Sequence, residues 1–158
     1  MTVKEKESIK NLLSVWGGYK YILRCERSEL RDIKDMRDSM TDIKAITYDF
    51  MPKDNRLSKP VKNGIINSIN LCEGRIEKLN RLIKSNMENK ENIDRIVDKL
   101  PYVEQYILKG RYVDKISWEA MPFHLPFEMS KRHCQRYHDA AIETIYNELL
   151  NDKSYKKV

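Results

Sequence analysis

Glycine and proline are scarce in this sequence, with five of each among 158 residues. A many-stranded β-sandwich or β-barrel needs a turn about every eight to twelve residues, and its turns draw on these residue types. Charged residues make up 34% of the chain and hydrophobic residues 41%, a balance typical of helices that bury one face and expose the other. We therefore predict an all-α protein.

Long apolar runs and paired cysteines are also missing. No stretch approaches the roughly 18 uninterrupted apolar residues of a membrane span, and the charged start at Lys4–Glu7 predicts no signal peptide. The three cysteines, Cys25, Cys72 and Cys134, are widely spaced on apolar positions of helical patterns. Such a set is typical of buried thiols in a reducing compartment. We expect a cytoplasmic protein without a membrane partner.

Signatures of catalysis are absent from the sequence, which has no Gly-rich phosphate loop, no Ser/His/Asp order and no paired catalytic carboxylates. Cys134 and His138 stand four residues apart, but zinc needs three or four converging ligands, so we interpret them as a packing thiol and a surface imidazole. Asp32, Asp35 and Asp38 alternate with basic residues, which favours a solvent-exposed helix face over a nuclease metal cluster. We expect no enzymatic activity, no cofactor and no metal.

Two long apolar stripes dominate the first half of the chain. The first consists of Ile9, Leu12, Trp16, Tyr19, Leu23, Leu30, Ile33 and Met40. The second consists of Ile65, Ile69, Cys72, Ile76, Leu79 and Ile83. A loop at Tyr48–Asn55 separates them, and Ser58 followed by Pro60 is a typical helix start. Steps of three and four residues on both sides of one loop predict a long antiparallel helical hairpin over residues 1–88.

The first stripe is interrupted by Gly17–Gly18, which we expect to weaken or bend the helix, because an internal Gly costs up to about 1 kcal/mol relative to Ala. We interpret Trp16 and Tyr19 as hairpin core. A dimer contact at Trp16 is the alternative, since the glycine pair would let another helix approach. The hairpin has little core of its own, so we expect it to pack on the C-terminal part or on a second copy in a homodimer.

Shorter helical patterns fill residues 89–152, after the polar stretch Ser85–Asn92. They lie at Ile93–Leu100, Val103–Tyr112, Ile116–Met121 and from the predicted N-cap Ser130 onward. Four helices of this size in about 60 residues suit a helix-turn-helix domain. Residues 153–158 form a basic tail.

Leu100–Tyr112 contains Leu, a neighbouring Pro, Glu104, an aliphatic pair and Arg111–Tyr112. Downstream, Ser117–Met121 and Ser130–Ile142 supply two further helical segments. This order resembles the promoter-recognising fourth region of bacterial sigma factors, in which the last segment is the recognition helix. With a two-helix N-terminal half, the chain resembles the small phage and prophage regulators of the ArpU and RinA type.

The segment between Met121 and Ser130 departs from that pattern. It is eight residues long with two prolines, where a sigma-like motif has a shorter turn with a Gly. We expect Pro122 to stop the preceding helix within a turn of its start. The turn at residues 122–129 is therefore predicted to be long, with an unusual angle between the two helices.

Cations concentrate at the start of the predicted recognition helix, where Ser130–His138 contains no acidic residue. With Cys134, Ala141 and Ile145 facing inward, a rotation of about 100° per residue directs the arginines of this segment outward. Arginine pairs with guanine and glutamine with adenine in the major groove. We therefore predict base contacts from Arg132, Gln135 and Arg136.

Contacts to the DNA backbone are predicted from Ser130, Lys131, His133 and Arg111, because a helix N-terminus and nearby cations hold phosphate. The tail lysines Lys153, Lys156 and Lys157 are weaker candidates. A merely solvated basic helix face is the alternative interpretation of the same residues.

The resemblance implies a phage-encoded, sequence-specific transcriptional regulator that binds double-stranded DNA and activates late, packaging or lysis genes. The hairpin would mediate self-association or contact RNA polymerase, and avidity would strengthen weak binding by a single copy. Two alternatives stay open. One is a helical phage assembly or DNA-packaging protein, such as a small terminase subunit; the other is a polymerase-binding adaptor without DNA contact.

Overall fold

A computed structural model describes residues 1–49 and 59–151, with side chains described at 1–42 and 63–151, and most of these residues are helical. In order, the elements are α1 Val3–Asp49, α2 Lys59–Val97, α3 Tyr102–Leu108, a π-helical segment Lys109–Val113, α4 Met121–His124 and α5 Lys131–Asn151. No strand occurs in these ranges, so the all-α prediction is confirmed. The hairpin and helix-turn-helix arrangement stays a prediction.

The gap between α1 and α2 contains most of the predicted loop at Tyr48–Asn55. The Ser58 cap lies outside the described residues, as do the side chain of Pro60 and the predicted tail at 153–158. Where helices are described, none has an apolar stretch long enough to cross a membrane.

Two compact units divide the chain, and each takes part of both long helices. Tyr21–Asn86 forms one, called here the two-helix unit; Met1–Lys20 and the chain from Met87 onward form the other, called here the C-terminal unit. The division between Asn86 and Met87 lies within two residues of the boundary predicted at residue 88, whereas the first 20 residues group with the C-terminal segments and not with the hairpin.

The polar stretch Ser85–Asn92, predicted to separate two domains, is helical and lies inside α2. It contains no Gly or Pro to end the helix, and Lys90 pairs with Asp94 one turn later at 2.5 Å. Asn86 and Lys90 are half-buried. Low hydrophobicity therefore did not mark a break in the helix.

A narrow apolar seam holds the two-helix unit together. Its buried apolar residues among those described are Leu23, Cys72, Ile76 and Leu79. Glu26 interrupts the seam with a buried carboxylate; Asn86 Nδ2 donates to its Oε1 at 2.7 Å, whereas its Oε2 has no partner in the described structure. Arg75 Nε donates to Glu29 Oε1 at 2.9 Å on the exposed edge. Polar pairs on a seam fix which residues face each other.

Cys25 corrects the expectation of three buried thiols. All three cysteines are free, but Cys25 is exposed, whereas Cys72 and Cys134 are buried. Cys25 lies next to the seam residue Glu26, so its side chain points away from the partner helix. The aspartates Asp32, Asp35 and Asp38 are exposed, in keeping with a solvated helix face.

A broad core fills the C-terminal unit and draws on α1, α2, α3 and α5. Its buried members are Ile9, Leu13, Trp16, Tyr19, Ile93, Ile96, Val97, Leu100, Leu108, Ala141, Ile142 and Ile145. Trp16 Nε1 donates to Asp94 Oδ1 at 2.7 Å, which satisfies the indole N–H inside the core. Trp16 and Tyr19 are core residues as expected, but they pack in the C-terminal unit.

Gly17 allows the backbone of α1 to approach the π-helical segment closely. A Cβ built at Gly17 would lie 1.9 Å from Tyr112 O and 3.2 Å from Val113 N, so any side chain there clashes with main-chain atoms. Helix α1 runs through the glycine pair without a break. The glycine therefore serves packing within the chain, and the glycine pair does not interrupt the helix.

The helix predicted at Ile116–Met121 is not formed. Ser117 instead starts a turn, in which Met121 N donates to Ser117 O at 2.9 Å, and the four-residue α4 begins at Met121. Pro122 lies in the first turn of α4, where no intrahelical N–H bond is required, so it starts a helix and does not stop one.

The segment after α4 alternates buried and exposed side chains. Leu125 is buried and Phe127 and Met129 are half-buried, packed on a second small core that includes Ile107 and Cys134. This period of two is typical of an extended chain lying on an apolar surface. Packing therefore fixes the path of the turn at residues 122–129.

Candidate nucleic-acid interface

Helix α5 is anchored by a continuous inner face. Its buried residues are Cys134, His138, Ala141, Ile142 and Ile145, which agrees with the inward centre predicted from the sequence. The backbone N–H of His133 donates to Ser130 Oγ at 3.3 Å, so Ser130 caps the helix as predicted. An anchored and capped helix presents its opposite face in a fixed orientation.

Arg132 and Arg136 occupy the face opposite the anchor. Both are exposed, and neither forms a hydrogen bond or ion pair with any residue that the structure describes. They are one turn apart, so they share a face in the first two turns of α5. Their guanidinium groups are therefore available to a ligand, although the base contacts themselves stay predictions.

The predicted backbone contacts Lys131 and Arg111 are engaged within the protein. Lys131 Nζ lies 2.5 Å from Glu119 Oε1, and this hydrogen bond lowers the pKa of the Glu119 carboxyl. Arg111 donates to Ile116 O at 2.9 Å and lies 5.1 Å from the ring centre of Trp118. A phosphate would have to compete with these contacts.

Ser130 and His133 form a local pair at the start of α5. The hydroxyl of Ser130 and Nδ1 of His133 are 2.9 Å apart, and both residues are exposed. The cap uses the oxygen of Ser130 as an acceptor, which leaves Nε2 of His133 directed to other partners. Contact with a phosphate stays a prediction for both.

His138 corrects the expectation of a surface imidazole, because it is buried, with 5% of its surface exposed. Tyr112 Oη lies 3.0 Å from its Nε2, and Asp139 Oδ1 lies 3.3 Å from its Nδ1. A carboxylate only accepts, so Nδ1–H donates to Asp139 and Nε2 accepts from Tyr112. Burial lowers the pKa of His138 against the opposing effect of Asp139, which favours this neutral tautomer.

The aromatic rings around His138 connect α5 to the segment that precedes it. Tyr112 stacks on the imidazole with ring centres 5.8 Å apart, and Trp118 meets it edge-on at 5.0 Å. Burial raises the pKa of Tyr112 to about 12, so its hydroxyl remains a donor. Trp118 packs on the second core.

Gln135 lies on the flank of α5 and lines a groove in the C-terminal unit. The opposite wall is the first part of α1, from which Lys6 and Lys10 project, and the groove has a volume of about 510 Å³. Sequence reasoning missed both lysines. Their spacing of four residues indicates a shared helix face, but nothing in the sequence places that face beside α5.

The described side chains include no group of three or more His, Cys, Asp or Glu residues able to hold a metal ion. Cys134 belongs to the inner face of α5, and burial raises the pKa of its thiol, which disfavours the thiolate that metals bind. Comparison of the chain with protein-family models, curated proteins and solved structures finds no match.

Proposed function

We propose that this protein is a sequence-specific DNA-binding transcriptional regulator that uses α5 as its recognition helix. The observation that carries the proposal is the contrast across α5: its inner face is buried, whereas Arg132 and Arg136 on the outer face are exposed and have no partner among the residues that the structure describes. A helix docked in the major groove must be held in a fixed orientation by the rest of its domain, and it needs free hydrogen-bond donors for the base edges.

Three other cations of the same unit differ from Arg132 and Arg136 because they form ion pairs. Lys6, Lys99 and Lys131 of the same unit are held by Asp139, Glu148 and Glu119, respectively. The acid-free stretch Ser130–His138 leaves Arg132 and Arg136 without such partners among the described residues. The resemblance to the ArpU and RinA regulators supports a role as activator of phage late, packaging or lysis genes.

The two-helix unit is proposed to mediate self-association as a homodimer or to contact RNA polymerase. Exposed apolar side chains on both of its helices support a partner surface, with Met36 52% exposed and Leu71 75% exposed. Light scattering of the purified full chain tests the homodimer directly, and a monomer at all concentrations would exclude it.

Selection of bound sequences from random duplex DNA, repeated at two salt concentrations, tests the proposed function. We expect a consensus motif, and we expect Arg132→Ala and Arg136→Ala each to cost about 1–3 kcal/mol of binding to it. Arg95→Ala is the matched control, because Arg95 is an exposed arginine of the same unit that lies beside Lys99 and Glu148.

The alternatives predict other outcomes of the same experiment. Steep salt dependence without a motif would favour a packaging protein. Retention of regulatory activity by Arg132→Ala and Arg136→Ala would favour a polymerase-binding adaptor. Either result would contradict base recognition by α5.

A further inference from the structure

The groove between α1 and α5 carries an excess of positive charge. Three cationic side chains, those of Lys6, Lys10 and Arg111, line it together with one acidic side chain, that of Asp139. Because Lys6 Nζ lies 2.9 Å from Asp139 Oδ1, that acid is already neutralised. The charge that remains belongs to Lys10 and Arg111, which attracts an anion.

Of the three cations in the groove, Lys10 forms the weakest contacts with other residues of the protein. Its only ion pair with a described residue is to Glu7 at 3.9 Å, on a part of α1 where Glu7 is exposed. Exposed pairs at this distance contribute little. Asn11 and Ser14 line the same wall, so neutral hydrogen-bonding groups stand beside a cation that is readily redirected to a ligand.

The groove adjoins the face of α5 that carries Arg132 and Arg136. Gln135 and Asp139 line it from one flank of α5, whereas Arg132 and Arg136 lie on the adjoining outer face. An α-helix is about 10–12 Å across and the major groove is about 12 Å wide. A helix seated there therefore has a sugar–phosphate strand along each flank.

We propose that this groove, lined by Lys6, Lys10 and Asn11 of α1, holds the phosphate backbone of the DNA strand that runs along the Gln135 flank of α5. The inference rests on the proposed function, since duplex DNA is the ligand of α5. Lys10 contacts the phosphate, Asn11 donates to the same backbone, and Lys6 remains fixed by Asp139 as a second positive charge. Helix α1 thus takes a direct part in binding, in addition to packing.

Lys10→Gln is the variant that tests this site, and Lys20→Gln is the matched control. Both residues lie on α1 in the same unit and lose one positive charge, but Lys20 does not line the groove. We expect Lys10→Gln to weaken binding to the selected site and to a scrambled duplex alike. The slope of log affinity against log salt should fall by about 0.9 for the one lost phosphate.

Ethylation interference locates the contact on the DNA. Wild-type protein should be blocked by ethylation of a phosphate on one strand beside the motif, and Lys10→Gln should be insensitive at that phosphate while keeping the other interference positions. Unchanged circular dichroism and tryptophan fluorescence establish that the variant is folded.

The outcomes separate this inference from the proposed function. If Arg132→Ala loses the motif while Lys10→Gln behaves as Lys20→Gln does, the groove assignment is wrong and base recognition stands. If wild-type protein selects no motif, the proposed function fails, and the groove assignment fails with it. Thermal stabilisation by inorganic phosphate that Lys10→Gln abolishes, with duplex binding unchanged, would identify a small-anion site and overturn the assignment.

Discussion

The two compact units contain similar heptad stripes of apolar residues, but they differ greatly in how many side chains they bury. The C-terminal unit buries a cluster of twelve residues drawn from four helices, whereas the two-helix unit buries four apolar residues among those described, along a single seam. A stripe on one helix becomes a core only when other segments cover its sides. Here α3 and α5 cover the ends of α1 and α2, so the same pattern gives a broad core in one unit and a narrow one in the other.

The tryptophans allow the two units to be followed separately. The chain has two, Trp16 and Trp118, and both belong to the C-terminal unit. Fluorescence therefore reports on that unit alone, whereas far-UV circular dichroism reports on both. Coincident transitions would indicate a single cooperative fold.

The largest expected effect comes from opening a cavity in each core. Ile142 is 0% exposed and Leu79 is 1% exposed, so truncation of either to alanine removes a fully buried side chain. We expect about 4 kcal/mol of destabilisation for Ile142→Ala and about 2–3 kcal/mol for Leu79→Ala, because a narrow seam collapses around the lost volume more readily. Urea unfolding followed by both probes measures this; a larger loss for Leu79→Ala would break the comparison.

Gly17→Ala should destabilise the C-terminal unit by about 2 kcal/mol. The new methyl group overlaps Tyr112 O, and the cost of displacing the backbone exceeds the gain of up to about 1 kcal/mol in helix propensity. Gly74→Ala is the control in the two-helix unit, where a Cβ meets nothing within 4 Å. It should stabilise that unit, and equal responses of the two glycines in thermal melts would refute the close approach.

Apolar replacement of the polar pair in the two-helix seam should raise the stability of this unit, whereas the cavity-forming substitutions above lower stability. Glu26 has a buried oxygen without a partner in the described structure, and Asn86 is bonded to the other oxygen. Replacing both by leucine should stabilise the unit by about 1 kcal/mol, because apolar substitution of both partners removes the desolvation cost. Glu26→Leu alone should gain less, since it leaves Asn86 unpaired; denaturation of the three proteins distinguishes these cases.

Acidification should weaken the C-terminal unit through His138. Its pKa is lowered by burial from the ordinary value of 6.5, so between the lowered pKa and pH 6.5 the unfolded state binds more protons. Stability is therefore complete above about pH 6.5 and falls as the pH drops through that window. Melts by tryptophan fluorescence at several pH values measure it, and the dependence should shrink in His138→Gln but persist in His124→Gln, which changes an exposed histidine.

The smallest expected effect is at Lys115, which has a φ of 59°. This left-handed conformation follows the π-helical segment, where Ile116 N donates to Gly110 O at 2.9 Å. Lys115→Gly should stabilise the C-terminal unit by about 0.5 kcal/mol, since the steric cost that glycine removes is partly offset by its greater loss of conformational freedom on folding. Lys109→Gly, inside the helical segment, should destabilise it; loss of stability in both would contradict the backbone assignment.

The periodicity of the sequence predicted the helices and most of their inner faces. Of the positions predicted to face inward on the two stripes, Ile9, Trp16, Tyr19, Leu23, Cys72, Ile76 and Leu79 are buried, because spacing along a helix determines which residues share a face. The other seven are half-buried, and Leu13, next to the half-buried Leu12, takes a core position that the predicted stripe did not include. The inner face of α5 follows the same rule. Such features depend on residues that lie within a few turns of each other.

What the sequence did not predict depends on distant contacts. The burial of His138 requires Tyr112 and Trp118, and the need for glycine at position 17 requires the backbone at Tyr112. The first helix of the helix-turn-helix motif failed as a prediction because Pro122 fits a helix start as well as a helix end. The polar stretch Ser85–Asn92 contains the point in α2 where the two units divide, but it does not end the helix, as its composition had suggested.

The hydrogen bond from Trp16 to Asp94 joins α1 to α2 inside the C-terminal core. Its indole proton exchanges with deuterium only when this hydrogen bond opens, so the exchange rate reports on opening at the junction of the two helices. A single resolved nuclear magnetic resonance signal thus measures the opening of the core on which α5 packs, without any substitution in the protein.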